Sequence, residues 1–154
     1  MIKNIFILFL IGLFSCNKIG EKNESWDRLF DGKTLTGWYV IGGNATYEVR
    51  DGTIVGTSVL NTLNTFLCSD KFYDDFILEI EYKIDSNMNS GIQIRSNSID
   101  SYKHGKVHGY QIEIDPSERA WSGGIYDEGR RGWLYSLNEN PEAQKAFKKN
   151  KWNS

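Results

Sequence analysis

The sequence predicts an all-β fold, an antiparallel β-sandwich or jelly roll. Three segments alternate apolar and polar residues with a period of two, at 76–84, 91–95 and 110–115. Such alternation is typical of antiparallel strands that bury one face against a core. The Asp51-Gly52 pair between two short strand-like runs indicates a tight hairpin. Several strands joined by short turns therefore predict a two-sheet architecture rather than a helical one.

One short segment near the C-terminus favours a helix. Asn140 is a suitable N-cap and Pro141 suits the first helical position, and the residues that follow up to Lys148 are mostly helix formers. The predicted fold is therefore all-β with a single short helical segment.

Composition narrows the classes of function. The chain has 154 residues, which is the size of one domain, and a formal net charge of −2. Its Lys and Arg residues are scattered, so the basic face that nucleic-acid binding needs is not predicted. Aromatic residues make up 14% of the chain, with five Trp and eight Tyr. Trp and Tyr side chains stack against sugar rings as well as packing in cores. Their number therefore weakly favours a carbohydrate partner.

The first sixteen residues predict a lipoprotein signal peptide. Lys3 precedes an apolar stretch, Ile5–Phe14, that is too short to span a bilayer, which takes about 20 apolar residues. The stretch ends in Leu13-Phe14-Ser15-Cys16, which resembles a lipobox with Cys16 as the lipidated residue. An ordinary secretory signal with a chance cysteine is the alternative.

This interpretation divides the chain into a signal peptide at 1–16, a polar tether at 17–25 and a folded domain at 26–154. The predicted location is exported, in the periplasm or anchored to the outer membrane, with the N-terminal lipid as the only membrane contact. Cys68 then has no partner and is expected to be a buried small side chain, although a disulfide with Cys16 stays open.

Polar side chains on the predicted strands form the first candidate site. The faces opposite the apolar ones carry carboxylates, amides and an arginine rather than the Lys, Thr and Ser of an ordinary solvated face. If the strands are neighbours, these side chains collect on one sheet surface, and residues two apart on a strand could reach a single bound sugar. An exposed polar face with paired charges is the simpler alternative. The residues are Glu79, Glu81, Gln93, Arg95, Gln111, Glu113 and Asp115.

A glycine-rich segment at 121–133 forms the expected rim of that site. Glycines allow close approach of a ligand, and aromatic and guanidinium groups supply stacking surface and hydrogen-bond donors. A turn-rich connection whose aromatic rings simply pack is the alternative. The residues singled out are Tyr126, Arg130, Arg131 and Trp133.

His104 and His108 are the only histidines. Their four-residue spacing suits a metal only on a helix, and Gly105 and Gly109 favour a loop, so the metal signal is weak. His108 precedes the 110–115 strand and could lie beside the candidate site where that strand begins. Nucleophile-elbow, phosphate-loop and Cys-rich metal motifs are absent from the sequence.

An ordered set of short motifs resembles the 3-keto-disaccharide hydrolase family. The set runs from Trp26 to the last residues and keeps the family's order. The motifs are Leu29-Phe30-Asp31-Gly32-Lys33-Thr34-Leu35 with Gly37-Trp38, Asp51-Gly52-Thr53-Ile54, Asn89-Ser90-Gly91-Ile92, His108-Gly109-Tyr110-Gln111-Ile112-Glu113-Ile114-Asp115-Pro116, and Ser122-Gly123-Gly124-Ile125-Tyr126-Asp127.

The resemblance implies a concanavalin-like jelly roll and an enzyme acting on glycosides whose ring is oxidised to a ketone at carbon 3. It also implies that the family's domain continues beyond Trp152-Asn153, so that an incomplete sandwich with an unpaired edge is expected here. A divalent metal is left open, with His108, Glu113 and Asp115 as candidate ligands, and no cofactor is otherwise expected.

The chemistry of such a substrate, rather than the resemblance, assigns the roles. A ketone acidifies the neighbouring C2–H, so a base could remove that proton and expel the C1 substituent before water adds back. The base is Glu113 or His108, and Arg95 and Arg130 would stabilise the enolate. The expected substrate-binding residues are Gln93, Gln111, Asp115, Tyr126, Arg130, Arg131 and Trp133.

Two other functions compete with this one. The Glu113–Glu118 segment resembles the acidic strand of jelly-roll β-glucanases, which would make the chain a conventional retaining glycosidase. A noncatalytic carbohydrate-binding module would share the fold, the groove and the aromatic rings. A structural lipoprotein would leave the ordered motifs unexplained.

Overall fold

The computed structural model describes residues 5–15 and 26–154. Within them nearly all regular structure is β-strand in antiparallel pairing, so the predicted all-β fold class is confirmed. The strands are β1 (Ile5–Ser15), β2 (Trp38–Gly42), β3 (Thr46–Arg50), β4 (Thr53–Thr57), β5 (Thr65–Ser69), β6 (Phe76–Ile84), β7 (Ser90–Asn97), β8 (His108–Ile114), β9 (Ile125–Glu128) and β10 (Gly132–Tyr135). They fall into two compact units, one of Met1–Lys83 with Trp152–Ser154 and one of Ile84–Lys151.

The first unit holds a four-stranded sheet of order β3-β4-β1-β6 and a separate β2–β5 pair. The predicted hairpin is confirmed, since Arg50 pairs with Thr53 and only Asp51 and Gly52 lie between them. Both turn residues have positive φ angles, 50° and 73°, which is the conformation of the tight turn that Asp-Gly favours. Ile54, Val55 and Ile80 form the buried apolar centre of this unit together with Phe30.

The N-terminal predictions lie largely outside the described residues. Ile5–Ser15 is placed as strand β1, antiparallel to β4, whereas Cys16 and the tether at 17–25 fall outside the part of the chain that is described. The signal peptide, the lipid and the export of the chain stay predictions. None of the helices in the described residues has the length and apolar character to cross a membrane. Cys68 lies in β5, half-buried and without a disulfide partner among the described residues.

The second unit is built on one antiparallel sheet of order β10-β9-β8-β7. β8 is its central strand, pairing with β7 from Ser90↔Ile114 onward and with β9 from Gly109↔Glu128 to Ile112↔Ile125. The buried apolar residues of this unit are Ile84, Val107, Ile114 and Leu137. Burying one such side chain stabilises the fold by about 1.5–3 kcal/mol.

The alternation predicted for β6 is confirmed, but its expected neighbours are not. Phe76, Leu78 and Ile80 are shielded while Glu79 is exposed, as a half-buried strand requires. However, β6 pairs with β1 and not with the β7–β10 sheet. Glu79 and Glu81 therefore do not join the polar surface carried by β7 and β8, and that part of the prediction was wrong.

The predicted C-terminal helix is reduced to 3₁₀ turns at Leu137–Glu139 and Ala143–Lys145. Asn140 ends the first of these turns and is not the N-cap of a helix as predicted, although its Oδ1 accepts the backbone N–H of Ala143 at 3.3 Å. An isolated segment of this length is too short to sustain an α-helix, because nucleation is costly and few hydrogen bonds follow it.

Candidate active site

One face of the second unit's sheet carries a row of polar and aromatic side chains. Gln93 of β7 pairs with Gln111 of β8, which pairs with Tyr126 of β9, which pairs with Trp133 of β10. Because directly opposed residues in antiparallel strands point to the same face, these four side chains stand side by side. The structure thus brings together four of the residues predicted from the sequence to bind substrate.

Glu113 lies on the same face, two residues along β8 from Gln111, and is only 4% exposed. The side-chain amide of Gln111 donates from Nε2 to Glu113 Oε2 at 2.8 Å, and Asn89 Nδ2 donates to Oε1. The Nη2 of Arg119 stands 3.8 Å from Oε1. A buried carboxylate is costly unless it is hydrogen-bonded or paired, and here two amides and one guanidinium provide that compensation.

The amide network continues away from Glu113 across the sheet. Gln93 Nε2 donates to Gln111 Oε1 at 3.2 Å, and the hydroxyl of Ser96 donates to Gln93 Oε1 at 2.6 Å. Each amide therefore gives its N–H to the group nearer Glu113 and accepts through its oxygen from the group farther away. This order fixes the orientation of both glutamines.

Asp115 follows β8 and anchors the turn that carries Arg119. Arg119 Nε donates to Asp115 Oδ2 at 2.7 Å, and the backbone N–H of Ser117 donates to Oδ1 at 3.1 Å. Burial works to raise the pKa of Asp115, but the hydrogen bonds from Ser117 and Arg119 outweigh it and lower that pKa below its ordinary value. Asp115 is thus held as a carboxylate that fixes the Arg119 guanidinium.

Three aromatic rings form a wall beside these charges. The ring centroids of Trp121 and Trp133 are 4.7 Å apart, and those of Tyr126 and Trp133 are 5.2 Å apart, both in edge-to-face contact. The Arg119 guanidinium lies over Trp121 at 4.4 Å and over Trp133 at 5.0 Å. We call the set of Asn89, Gln93, Gln111, Glu113, Asp115, Arg119, Trp121, Tyr126 and Trp133 the Glu113 site.

Arg130 and Arg131 do not belong to the Glu113 site, contrary to the prediction. Their Nε atoms donate to the two carboxylate oxygens of Asp127, and both guanidinium groups lie near the ring of Tyr110. Asp127 and Tyr110 oppose each other one residue away from the Gln111–Tyr126 pair. Since side chains alternate between faces, this second cluster lies on the other side of the sheet.

Arg95 was predicted to share a face with Gln93, and a bulge breaks the alternation on which that prediction rests. The register shifts between Ile94 and Asn97, and Arg95 has a positive φ angle of 47°. An extra residue in one strand disrupts the pairing and redirects the side chains beside it.

His108 lies far from Glu113. The two residues are five positions apart along β8, which corresponds to about 16 Å. The His108 ring contacts that of Tyr102 at 4.2 Å, and its Nδ1 lies 2.9 Å from the carbonyl oxygen of Lys106. His108, Glu113 and Asp115 therefore do not form the proposed metal-ligand set, and no other such group of His, Cys, Asp or Glu occurs within the described residues.

Sequence reasoning missed Asn89 and Arg119 as parts of the site. Asn89 immediately precedes the strand whose Gly91 opposes Glu113, so the register of β7 and β8 was the signal that could have found it. Arg119 reaches back to Asp115 across a turn of four residues, and periodicity does not describe turns. Loop conformation had to be known before either side chain could be placed.

A family model described as the 3-keto-alpha-glucoside-1,2-lyase-like domain matches residues 25–154. The chain belongs to this family. The resemblance stated from the sequence motifs is thereby confirmed, while no curated protein matches the chain. Membership in the 3-keto-alpha-glucoside-1,2-lyase-like family supports action on 3-keto-glycosides at the level of the family.

Proposed function

We propose that the chain cleaves 3-keto-glycosides by elimination across C1 and C2, and that Glu113 is the base that removes the C2 proton. The observation that carries the proposal is the combination at the Glu113 site. A buried carboxylate held by two amides stands beside a guanidinium, and that guanidinium lies over two of three rings that contact one another.

The reaction needs a base, a group that stabilises negative charge and a surface for the sugar ring. The C3 ketone acidifies the C2–H bond, so a carboxylate takes that proton and the electron pair becomes an enolate on O3. Collapse of the enolate forms the C1–C2 double bond and breaks the bond from C1 to the glycosidic oxygen, which leaves as an alcohol once it is protonated. Addition of water at C1, with return of a proton to C2, then completes a net hydrolysis.

Glu113 fits the base better than His108. Its carboxylate has a fixed orientation, and it stands beside the Arg119 guanidinium that lies over Trp121 and Trp133. His108 packs against Tyr102 at the opposite end of β8, and its Nδ1 lies against the carbonyl oxygen of Lys106.

Arg119 takes the role that the sequence assigned to Arg95 and Arg130. Its Nε is engaged by Asp115, its Nη2 stands 3.8 Å from Glu113 Oε1, and the guanidinium lies over the Trp121 ring. Oriented N–H donors stabilise an oxyanion that develops during reaction. Trp121, Tyr126 and Trp133 would receive the apolar face of the ring.

A conventional retaining glycosidase is less well supported. That mechanism needs a protonated carboxylic acid beside a second, ionised carboxylate. The carboxylate next to Glu113 is Asp115, and its two oxygens already accept hydrogen bonds from Ser117 and Arg119, so it is poorly placed to attack the sugar as the nucleophile. Glu118, the other acidic residue of the segment, is exposed. A noncatalytic binding module explains the rings but not a buried, oriented carboxylate.

The test compares a 3-keto-glucoside with its unoxidised parent. We expect release of the aglycone from the keto form alone, and a loss of kcat in Glu113→Gln of about 10²–10⁴-fold, the usual contribution of a positioned base. Glu118→Gln is the matched control, because it makes the same chemical change on an exposed residue five positions away. It should keep the wild-type kcat.

Three outcomes would contradict the proposal. Equal release from both substrates would favour a conventional glycosidase. Tight binding of the keto sugar without release would favour a binding module. Full activity in a folded Glu113→Gln would assign the base elsewhere.

A further inference from the structure

Gly91 lies directly opposite Glu113 in the β7–β8 pair, and the Gln111 side chain occupies the space above it. A Cβ atom at position 91 would lie 2.4 Å from Gln111 Cγ, 2.5 Å from Cδ and 2.9 Å from Nε2. Ordinary contacts of a Cβ begin at 3.4 Å. The side chain of Gln111 therefore uses room that exists only because residue 91 has none.

The atom that would clash most closely is not the flexible end of Gln111. The position of Cγ is set by the first side-chain torsion alone, so relieving the clash requires another χ1 rotamer or a shift of the strand. Either change removes the amide from its present partners. The bond to Glu113 Oε2 at 2.8 Å and the bond from Gln93 at 3.2 Å would be lost together.

The backbone gives no other reason for a glycine at this position. Gly91 is a regular member of β7, and its φ angle lies outside the left-handed region. Alanine is therefore compatible with the backbone and loses less conformational entropy on folding than glycine. Position 91 therefore requires a residue without a side chain, because the Gln111 side chain occupies the volume that a Cβ would take.

We propose that Gly91 is a positioning residue of the Glu113 site, acting through Gln111. Its missing side chain lets Gln111 lie across β7, and Gln111 in turn holds the Glu113 carboxylate in the orientation that proton abstraction needs. The proposal rests on the proposed function and adds to it a requirement for a residue that touches neither substrate nor base.

Gly91→Ala tests the proposal by kinetics. We expect kcat on the 3-keto-glucoside to fall about 10- to 100-fold, the scale of loss that follows from misplacing a catalytic group by about 1 Å. KM should change little, because the aromatic wall is untouched. The isotope effect for substrate deuterated at C2 should rise, since proton abstraction becomes slower relative to the other steps. A smaller fraction of folded enzyme would lower kcat without altering that isotope effect.

Gln111→Ala supplies the second half of the test. It should show a similar loss, and the double variant Gly91→Ala/Gln111→Ala should lose no more than Gln111→Ala alone, because the clashing atoms are gone. Ser90→Ala, the preceding residue of β7, is the control and should keep the wild-type kcat. A wild-type kcat and isotope effect in Gly91→Ala would overturn the proposal, as would additive losses in the double variant.

A spectroscopic measurement separates this proposal from the proposed function. The side-chain amide resonances of Gln111 can be assigned in ¹⁵N-labelled protein by their disappearance in Gln111→Ala. If the wild type fails to turn over the keto sugar, the proposed function fails, but a shift of these resonances in Gly91→Ala still supports the packing. Unchanged resonances would overturn it.

Discussion

The second unit holds two clusters of buried carboxylates and arginines on opposite faces of one sheet, one around Glu113 and one around Asp127. Asp127 is 0% exposed and both of its oxygens accept from arginine Nε atoms, of Arg130 and Arg131. Glu113 is 4% exposed, yet its oxygens accept from neutral amides and its arginine stands at 3.8 Å. Burial and nearby positive charge are common to both, so neither property identifies a site.

What differs is how the arginines are used. At Asp127 the two arginines come from the tight β9–β10 turn and bind both carboxylate oxygens. This carboxylate therefore has a structural role. At Glu113 the arginine is held by a different acid, Asp115, and lies against two tryptophan rings. A guanidinium anchored to a different acid keeps N–H donors for a ligand, which is the arrangement that the proposed function uses.

The largest difference in activity is expected between a variant that removes the arginine beside Glu113 and one that removes an arginine beside Asp127. Arg119→Ala is expected to lower kcat about 10²–10³-fold, the usual cost of losing one donor to a developing oxyanion. Arg119→Lys, which keeps the charge for Asp115 but loses the planar fork, should lose less. Arg131→Ala, the matched change on the other face, should keep the wild-type kcat. Steady-state kinetics on protein shown to be folded by circular dichroism decides, and an equal loss in both alanine variants would remove the distinction.

Asp127→Asn should instead lower the stability of the fold and leave the activity unchanged. Desolvation works to raise the pKa of Asp127, but the hydrogen bonds and charges of Arg131 and Arg130 outweigh it and lower the pKa. A carboxyl group with a lowered pKa in the folded state stabilises the fold at pH values above its unfolded pKa of about 3.9, and that stabilisation is lost as pH falls through the folded value.

We therefore expect Asp127→Asn to unfold at lower urea concentration than the wild type at pH 7, with the difference shrinking below about pH 4. Asp100→Asn, at an exposed aspartate of the same unit, is the control and should stay close to the wild type throughout. The kcat of the folded Asp127→Asn protein should be unchanged. A difference from the wild type that is constant from pH 7 to pH 3 would show that the ion pairs do not provide the stabilisation.

The two clusters also show which parts of the site could be predicted from the sequence and which could not. Period-two alternation correctly placed Gln93, Gln111 and Glu113 on one face, because it depends only on strand geometry. The same pattern could not say which strands are neighbours, so Glu79 of β6 was placed with them although β6 lies in another sheet.

The arginines were the least predictable part of the site. Arg130 and Arg131 follow Asp127 by three and four residues, and Arg119 follows Asp115 by four. Nothing in this spacing shows which pair faces the tryptophans. That depends on the face from which each acid projects and on how each turn folds, and both follow from register and backbone angles rather than from residue type.

The aromatic wall gives the smallest expected effect and the sharpest test of which face meets the sugar. Trp133→Ala should raise KM roughly five- to tenfold, corresponding to about 1 kcal/mol of lost stacking, with a smaller change in kcat. Leu134→Ala is the matched control, because Leu134 is the next residue of β10, is exposed and takes no part in the ring contacts of the aromatic wall. Binding of the keto sugar to the inactive Glu113→Gln background would measure the same loss without turnover. If Leu134→Ala weakened binding as much as Trp133→Ala, the loss would not come from stacking on the aromatic wall, and the contrast between the two carboxylates would lose its functional meaning.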